Sequence, residues 1–235
     1  MLVPPPLSLY VHIPWCVQKC PYCDFNSHAL KTELPELDYI DALIDDLETD
    51  LMAYQLVNSQ RPLHSIFIGG GTPSLISPAE IGRLLQAIET RIPFSDNIEI
   101  TMEANPGTVE AGRFEDYRQA GVNRISIGIQ SFQNDKLQRL GRIHGRDEAI
   151  KAIELAKSAG LNSFNTDLMH GLPNQSIADA ISDLKQAIAL DPPHLSWYQL
   201  TIEPNTLYYS KPPTLPDDDD LWDRSEEHTS ELQSR

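Results

Sequence analysis

His12-Ile-Pro-Trp-Cys-Val-Gln-Lys-Cys-Pro-Tyr-Cys23 contains every cysteine in the chain: Cys16, Cys20 and Cys23. A 235-residue protein that confines its three cysteines to eight positions spends them on chemistry. Four readings compete. A disulfide framework needs an even count and an oxidising compartment, and neither is indicated. Structural zinc normally takes four ligands, so His12 or His28 would have to complete the set. Inert core packing suits isolated cysteines, but not three flanked by Pro14 and Pro21. The fourth reading is an iron–sulfur cube held by three thiolates, with one iron left for another ligand. A small molecule carrying an amine and a carboxylate, such as S-adenosylmethionine (SAM), can chelate that iron and so bring radical chemistry to the site.

Outward from this motif, the chain alternates short β-rich runs with longer helical patterns. Strands are expected at Leu7–Ile13, His64–Gly70, Ile98–Ala104, Arg124–Gln130, Asn162–Gly171 and His194–Thr201. Between the first two, Leu37, Ile40, Leu43, Ile44 and Leu47 share one helical face. The next helix has Ser77 as N-cap, Pro78 at its first position, Glu80 to complete a capping box, and Ile76 with Ile81 as a staple. A third helix is expected from about Val109 to Gly121, a fourth ending at Gly160, and a fifth carrying Ile177, Ile181, Leu184 and Ile188.

Six such alternations predict an α/β fold with a parallel sheet. Periodicity alone leaves an open doubly wound sheet and a partial barrel both possible. Polar residues gather at or near the carboxyl ends of five successive strands, which suits a partial (β/α)₆ barrel better. The domain is expected over residues 1–211, followed by a Pro- and Asp-rich linker at 212–223. Residues 224–235 read like translated sequencing-adapter DNA and are expected to be no part of the fold.

Bulk composition narrows the function. Apolar residues make up 40% and charged residues 22%, with a formal net charge of −16. So acidic a surface disfavours nucleic acid and anionic lipid. Neither a membrane span nor a signal peptide is evident, which points to the cytoplasm.

Tyr10–Cys23, "YVHIPWCVQKCPYC", resembles the cluster motif of the radical SAM family, in the branch of oxygen-independent coproporphyrinogen III oxidase. Within that branch it is more similar to the haem chaperones than to the oxidase proper. The resemblance runs from about Pro5 to Asp223 and takes in "GGGTPS" (Gly69–Ser74), "EANPG" (Glu103–Gly107), "SIGIQSF" (Ser126–Phe132), "LGRIH" (Leu140–His144) and "DLMHGLP" (Asp167–Pro173). It implies a [4Fe–4S] cluster on Cys16, Cys20 and Cys23. It also implies SAM contacts from Gly70, Gly71, Thr72, Glu103, Gln130, Arg142 and Asp167, with Tyr10 and Tyr22 beside the cluster. Read alone, Tyr10 and Tyr22 are core aromatics, the glycines a tight turn, and Arg142 an ion-pair partner.

The implied function is haem binding and transfer to an acceptor protein, with an electron donor for the cluster. The alternative is SAM-dependent oxidative decarboxylation of coproporphyrinogen III. Three features favour the chaperone: a motif near the N-terminus, no further cysteine in "CPYCDFNSH", and a charge ill-suited to a carboxylate-rich porphyrinogen. No catalytic residue is assigned, and His12, His144 and His170 are left unassigned as haem ligands.

Overall fold

The computed structural model describes residues 4–108 and 112–217. Six strands form one sheet: β1 (Leu7–Ile13), β2 (Leu63–Gly70), β3 (Phe94–Ala104), β4 (Arg124–Gln130), β5 (Ser163–His170) and β6 (His194–Gln199). Every neighbouring pair is parallel, and spatial order follows chain order. A doubly wound sheet reverses its strand order at a switch point. This sheet never does, so the partial (β/α)₆ barrel is the architecture observed.

The crossovers are α1 (Glu36–Ala53), α2 (Pro78–Glu89), α3 (Arg113–Gln119), α4 (Asn134–Arg139) with α5 (Arg146–Ser158), and α6 (Ile177–Ala189). A one-turn helix, α7 (Leu207–Ser210), follows β6. The core lies between helices and the outer sheet face. Alternate strand residues supply it: Val11, Ile13, Ile66, Ile68, Ile100, Met102, Ile125, Ile127, Ile129 and Leu168 are all buried. β-branched residues dominate because they fit a pleated, covered surface.

Several local expectations need correction. Ile40 and Leu47 of α1 are buried and Leu43 and Ile44 pack partly, but Leu37 is 61% exposed, because the first turn overhangs the core. In α6 the buried stripe is Ala180, Asp183, Leu184 and Ala187, while Ile188 is exposed. Asp183 is drawn inward because its carboxylate accepts bonds from Ser131 Oγ (2.6 Å) and Phe132 N (2.9 Å), anchoring the loop after β4. At α2, Ser77 Oγ caps Glu80 N as expected, but only half of the capping box forms. The Ser77 N–H donates to Glu36 Oε2 (2.8 Å), and Glu80 pairs with Arg83 instead.

The helix expected from Val109 begins at Arg113, and residues 109–111 lie outside the described residues. So do the acidic run from Asp218 and the tail 224–235. Residues 212–217 are not wholly solvated: Thr214 O accepts from Asn174 N (3.1 Å), and Leu215 packs on a small cluster of Leu140, Met169, Leu172, Leu200 and Tyr208.

Candidate functional site

The cysteine loop leaves β1 at Pro14 and is stitched into a compact unit. Trp15 and Cys16 pair with His28 and Ala29, closing the loop at its base. The Lys19 ammonium donates to Phe25 O (2.9 Å) and Ser27 O (3.0 Å), drawing the two limbs together. Tyr39 of α1 donates to His12 O (2.7 Å) and meets Trp15 edge-on at 4.5 Å. From the far end of the chain, Tyr208 N donates to Pro21 O (2.9 Å), and its hydroxyl to Arg139 O (2.5 Å). One residue of α7 therefore ties the cysteine loop to the end of α4, a link that no local pattern announces.

The loop lies over a cleft of about 550 Å³ at the carboxyl ends of the strands. Cys16, Cys20 and Cys23 line it, all as free thiols. Gly70, Gly71, Thr72, Glu103, Gln130, Arg142, Asp167 and Tyr22 line it as well. Seven of these eight lie on β2 to β5 or in the connections that follow them, so the barrel gathers residues far apart in sequence. Tyr10 does not line the cleft: its ring stacks on Phe67 and its hydroxyl meets His12 Nδ1 (2.9 Å). Among the described residues no three His, Cys, Asp or Glu gather closely enough to hold a single metal ion. The sulfurs instead sit apart, with Cys16 near His28 O, Cys20 near Gly141 O, and Cys23 near Ser27 Oγ.

The glycines answer to packing as well as to any ligand. A Cβ on Gly71 would lie 2.5 Å from Trp15 O, and one on Gly70, whose φ is +114°, 2.6 Å from the His12 ring. The chain needs this closeness because Gly71 N and Thr72 N donate to Ile13 O (2.6 Å) and Trp15 O (2.7 Å). Glycine here lets the β2 turn seat against the root of the cysteine loop.

Charge in the cleft is divided. Burial raises the Glu103 carboxyl to about 7, opposed by a bond from Gly70 N (3.1 Å) and reinforced by Asp167. Asp167 accepts from Ser126 Oγ and Asn165 Nδ2, each at 2.6 Å. Arg142 is partly buried, with Nη2 donating to Gly128 O (3.0 Å) and Nη1 lying 3.8 Å from Cys20 Sγ. Gly128 makes room for it, since a Cβ there would lie 3.3 Å from Nη2. Burial also raises the Tyr22 phenol, against the pull of Arg142. Arg142 Nε and Gln130 Oε1 are buried without a partner among the described residues. Orphaned polar groups in a lined cleft fit a polar ligand that completes them.

The histidines are engaged structurally. His12 Nε2 meets Asn26 O (2.8 Å), and His170 packs at a 51° tilt on Trp197, centroids 4.6 Å apart. His144 meets Ile129 O (3.1 Å), and burial, helped by Arg142, lowers it to about 3.

Sequence reading missed Ser126, Gly128, Asn165, Ser196 and Tyr198, which also line the cleft. The period-two alternation that places Asp167 inward places Asn165 inward too, and the same rule picks out Ser126 and Gly128 in β4.

The radical SAM superfamily signature matches residues 10–187. The chain is 67% identical over 219 residues to "Heme chaperone HemW" of Haemophilus influenzae, covering 93% of this chain and 57% of that protein. It is 65% identical to "Heme chaperone HemW" of Escherichia coli, with the same coverage. The chain thus spans little more than half the length of these relatives. Among solved structures, the radical SAM enzyme coproporphyrinogen III oxidase (HemN) of Escherichia coli superposes with a TM-score of 0.85 at 28% identity, covering 97% of this chain and 52% of that one.

Proposed function

Because the chain belongs to the radical SAM superfamily, we propose that it is the barrel part of a haem chaperone. In this reading it holds a [4Fe–4S] cluster and SAM, binds haem, and passes it to an acceptor protein in the cytoplasm, with a separate electron donor serving the cluster. The observation that carries the chaperone reading is the 67% identity to a haem chaperone along 93% of the chain, against 28% to the oxidase structure. No helix among the described residues is long and apolar enough to cross a membrane.

Cys16, Cys20 and Cys23 each take one iron. When bound, such a cluster supplies an iron with no protein ligand and a source of one electron. The chain's own residues then act on SAM. Glu103 and Asp167 place carboxyl groups beside a ligand that carries a sulfonium and an ammonium, which suits a cation despite the cost of burying acids. The unpartnered atoms of Gln130 and Arg142 give SAM polar anchors, and the Arg142 guanidinium suits its carboxylate. Tyr22 and the Gly70–Thr72 turn close the walls. A cationic ligand beside Glu103 also favours its ionised form, so SAM and the Glu103 charge support each other.

The test uses the full-length protein, reconstituted anaerobically. It should bind haem at about one per chain and release it to an apo-acceptor. Replacing any one of Cys16, Cys20 or Cys23 with Ala should abolish the cluster's visible absorbance while the protein stays folded. Robust conversion of coproporphyrinogen III with SAM cleavage would instead assign the oxidase activity. A colourless protein with stoichiometric zinc would overturn the cluster itself.

A further inference from the structure

Below the cysteine loop, the parallel register carries one row of side chains across four strands. Tyr10 pairs with Phe67, Phe67 with Thr101, and Thr101 with Arg124. Each alternates with buried outer-face neighbours, so the row lies on the lumen face. At one end are two aromatic rings whose exposure stands out in a sheet that buries its aliphatic residues. Tyr10 is 56% and Phe67 38% exposed, and their rings stack 6.3 Å apart with planes inclined by 19°. Phe67 and Arg124 both line the cleft.

Beyond Arg124 the register continues to Ser163, and Arg124 is the cation of this row. Its side chain is 17% exposed, and its contacts are weak: Nη1 lies 3.5 Å from Thr101 Oγ1 and Nε 4.0 Å from Glu99 Oε2. Both are at or beyond the edge of bonding distance. A guanidinium is a planar fork of five donors that matches a carboxylate in two-point contact. Here most of that capacity is unspent, at the floor of a cleft whose remaining cation, Arg142, is already bound to Gly128 O. Phe67 and Arg124 stand two strands apart, about 10 Å at ordinary strand spacing. That separation suits a conjugated ring with a short carboxylate arm.

We propose that Phe67 and Arg124, the two members of this row that line the cleft, mark a second ligand seat in the lumen, for a flat conjugated molecule bearing a carboxylate. The ring lies against Phe67, which Tyr10 backs by stacking, and the carboxylate pairs with Arg124. Glu103 belongs to the next row up, paired with Ser126 and through it with Asn165. SAM and the flat ligand therefore occupy successive rows rather than one place. Resting on the chaperone reading, the ligand is haem and the arm one of its propionates, which puts haem inside the barrel rather than wholly in the part of the protein beyond this chain.

The experiment titrates haem and haem dimethyl ester, whose carboxylates are blocked, into the reconstituted full-length protein and follows the Soret band. The wild type should bind haem roughly tenfold more tightly than the ester. Arg124→Gln should weaken haem binding about tenfold, leave ester binding where it was, and so erase the difference. Phe67→Ala should weaken both ligands alike. The cluster's EPR spectrum checks that each variant is folded. Equal affinity of the wild type for haem and its ester overturns the proposal without any variant. So does an Arg124→Gln protein that still prefers haem; either result leaves the chaperone reading standing. A wild type that binds no haem sinks both.

Discussion

The two faces of the same six strands have opposite compositions. The outer face is almost wholly aliphatic, with Ile66, Ile68, Ile125, Ile127 and Ile129 sealed under helices. The inner face reads Glu103, Arg124, Ser126, Gly128, Asn165, Asp167 and Ser196, and these residues line a cleft. Closed (β/α)₈ barrels fill the inside with branched aliphatics and carry function only at the rim. This open six-stranded sheet leaves its inner face free for ligands, so the outer face must supply most of the stability. Stability and binding are thereby separated by the parity of a residue along a strand.

Mutations at adjacent residues should expose that separation. The largest effect is expected from Ile127→Ala, which empties a fully buried outer site and should cost about 3 kcal/mol in denaturant unfolding. Its neighbour Ser126→Ala, on the inner face, should cost about 1 kcal/mol through the lost bond to Asp167, and should weaken SAM binding more than it weakens the fold. If the two proved equally destabilising, the division of labour would fail.

Next comes Glu103. Its carboxyl rises from 4.5 to about 7 on folding, so the native state holds its proton more tightly than the unfolded chain. Stability of the ligand-free protein should therefore fall as pH rises between those two values and stay lower above them. Glu103→Gln should remove that slope and gain about 2 kcal/mol at pH 8 relative to wild type. Urea midpoints at pH 4.5 and pH 8 measure it, and an unchanged slope would show that Glu103 is solvated.

His144 has the opposite sign. Its folded value of about 3 lies below the ordinary 6.5, so its contribution is complete above 6.5 and is lost as pH falls toward 3. In NMR its ring resonances should stay in the neutral position from pH 8 to pH 5. A midpoint near 6.5 would mean the ring is not caged against Ile129.

The smallest effect belongs to Lys19. Its clamp joins one exposed and one part-buried loop carbonyl, both uncharged acceptors, so Lys19→Met should change global stability by about 1 kcal/mol or less. Hydrogen exchange at residues 24–28 should nonetheless quicken, and the apo-loop should take up iron more slowly.

Much of the barrel was legible from the chain alone. Six strands are expected and the main sheet has six among the described residues, β1 and β4 with the same limits, because alternation and flanking turn residues are local signals; the short Trp15–Cys16 and His28–Ala29 pair went unread. The cysteine motif was legible for the same reason: its spacing is a property of eight consecutive residues. Less legible was which face of a helix is buried. Leu37 and Ile188 obey helical period yet are exposed, since burial depends on where neighbouring elements end. The inward turn of Asp183 reflects two bonds to a loop some fifty residues away. Tyr10 is expected beside the cluster through family likeness, and what the structure adds is its contact with Phe67, a partner chosen by strand register.

By itself, then, the sequence determined the element order, the parallel α/β class and the three-thiol loop, all of which rest on interactions among near neighbours. Tertiary structure decided the rest. Strand order without reversal selected the barrel over the doubly wound sheet, and sheet register brought Glu103, Gln130 and Asp167, with Arg142 from the loop after α4, to the cleft that holds the cysteines. Register also set Arg124 in one row with two exposed aromatic rings. The physical reason is that a parallel sheet aligns residues separated by whole crossovers, and no local pattern encodes which residue meets which across those crossovers.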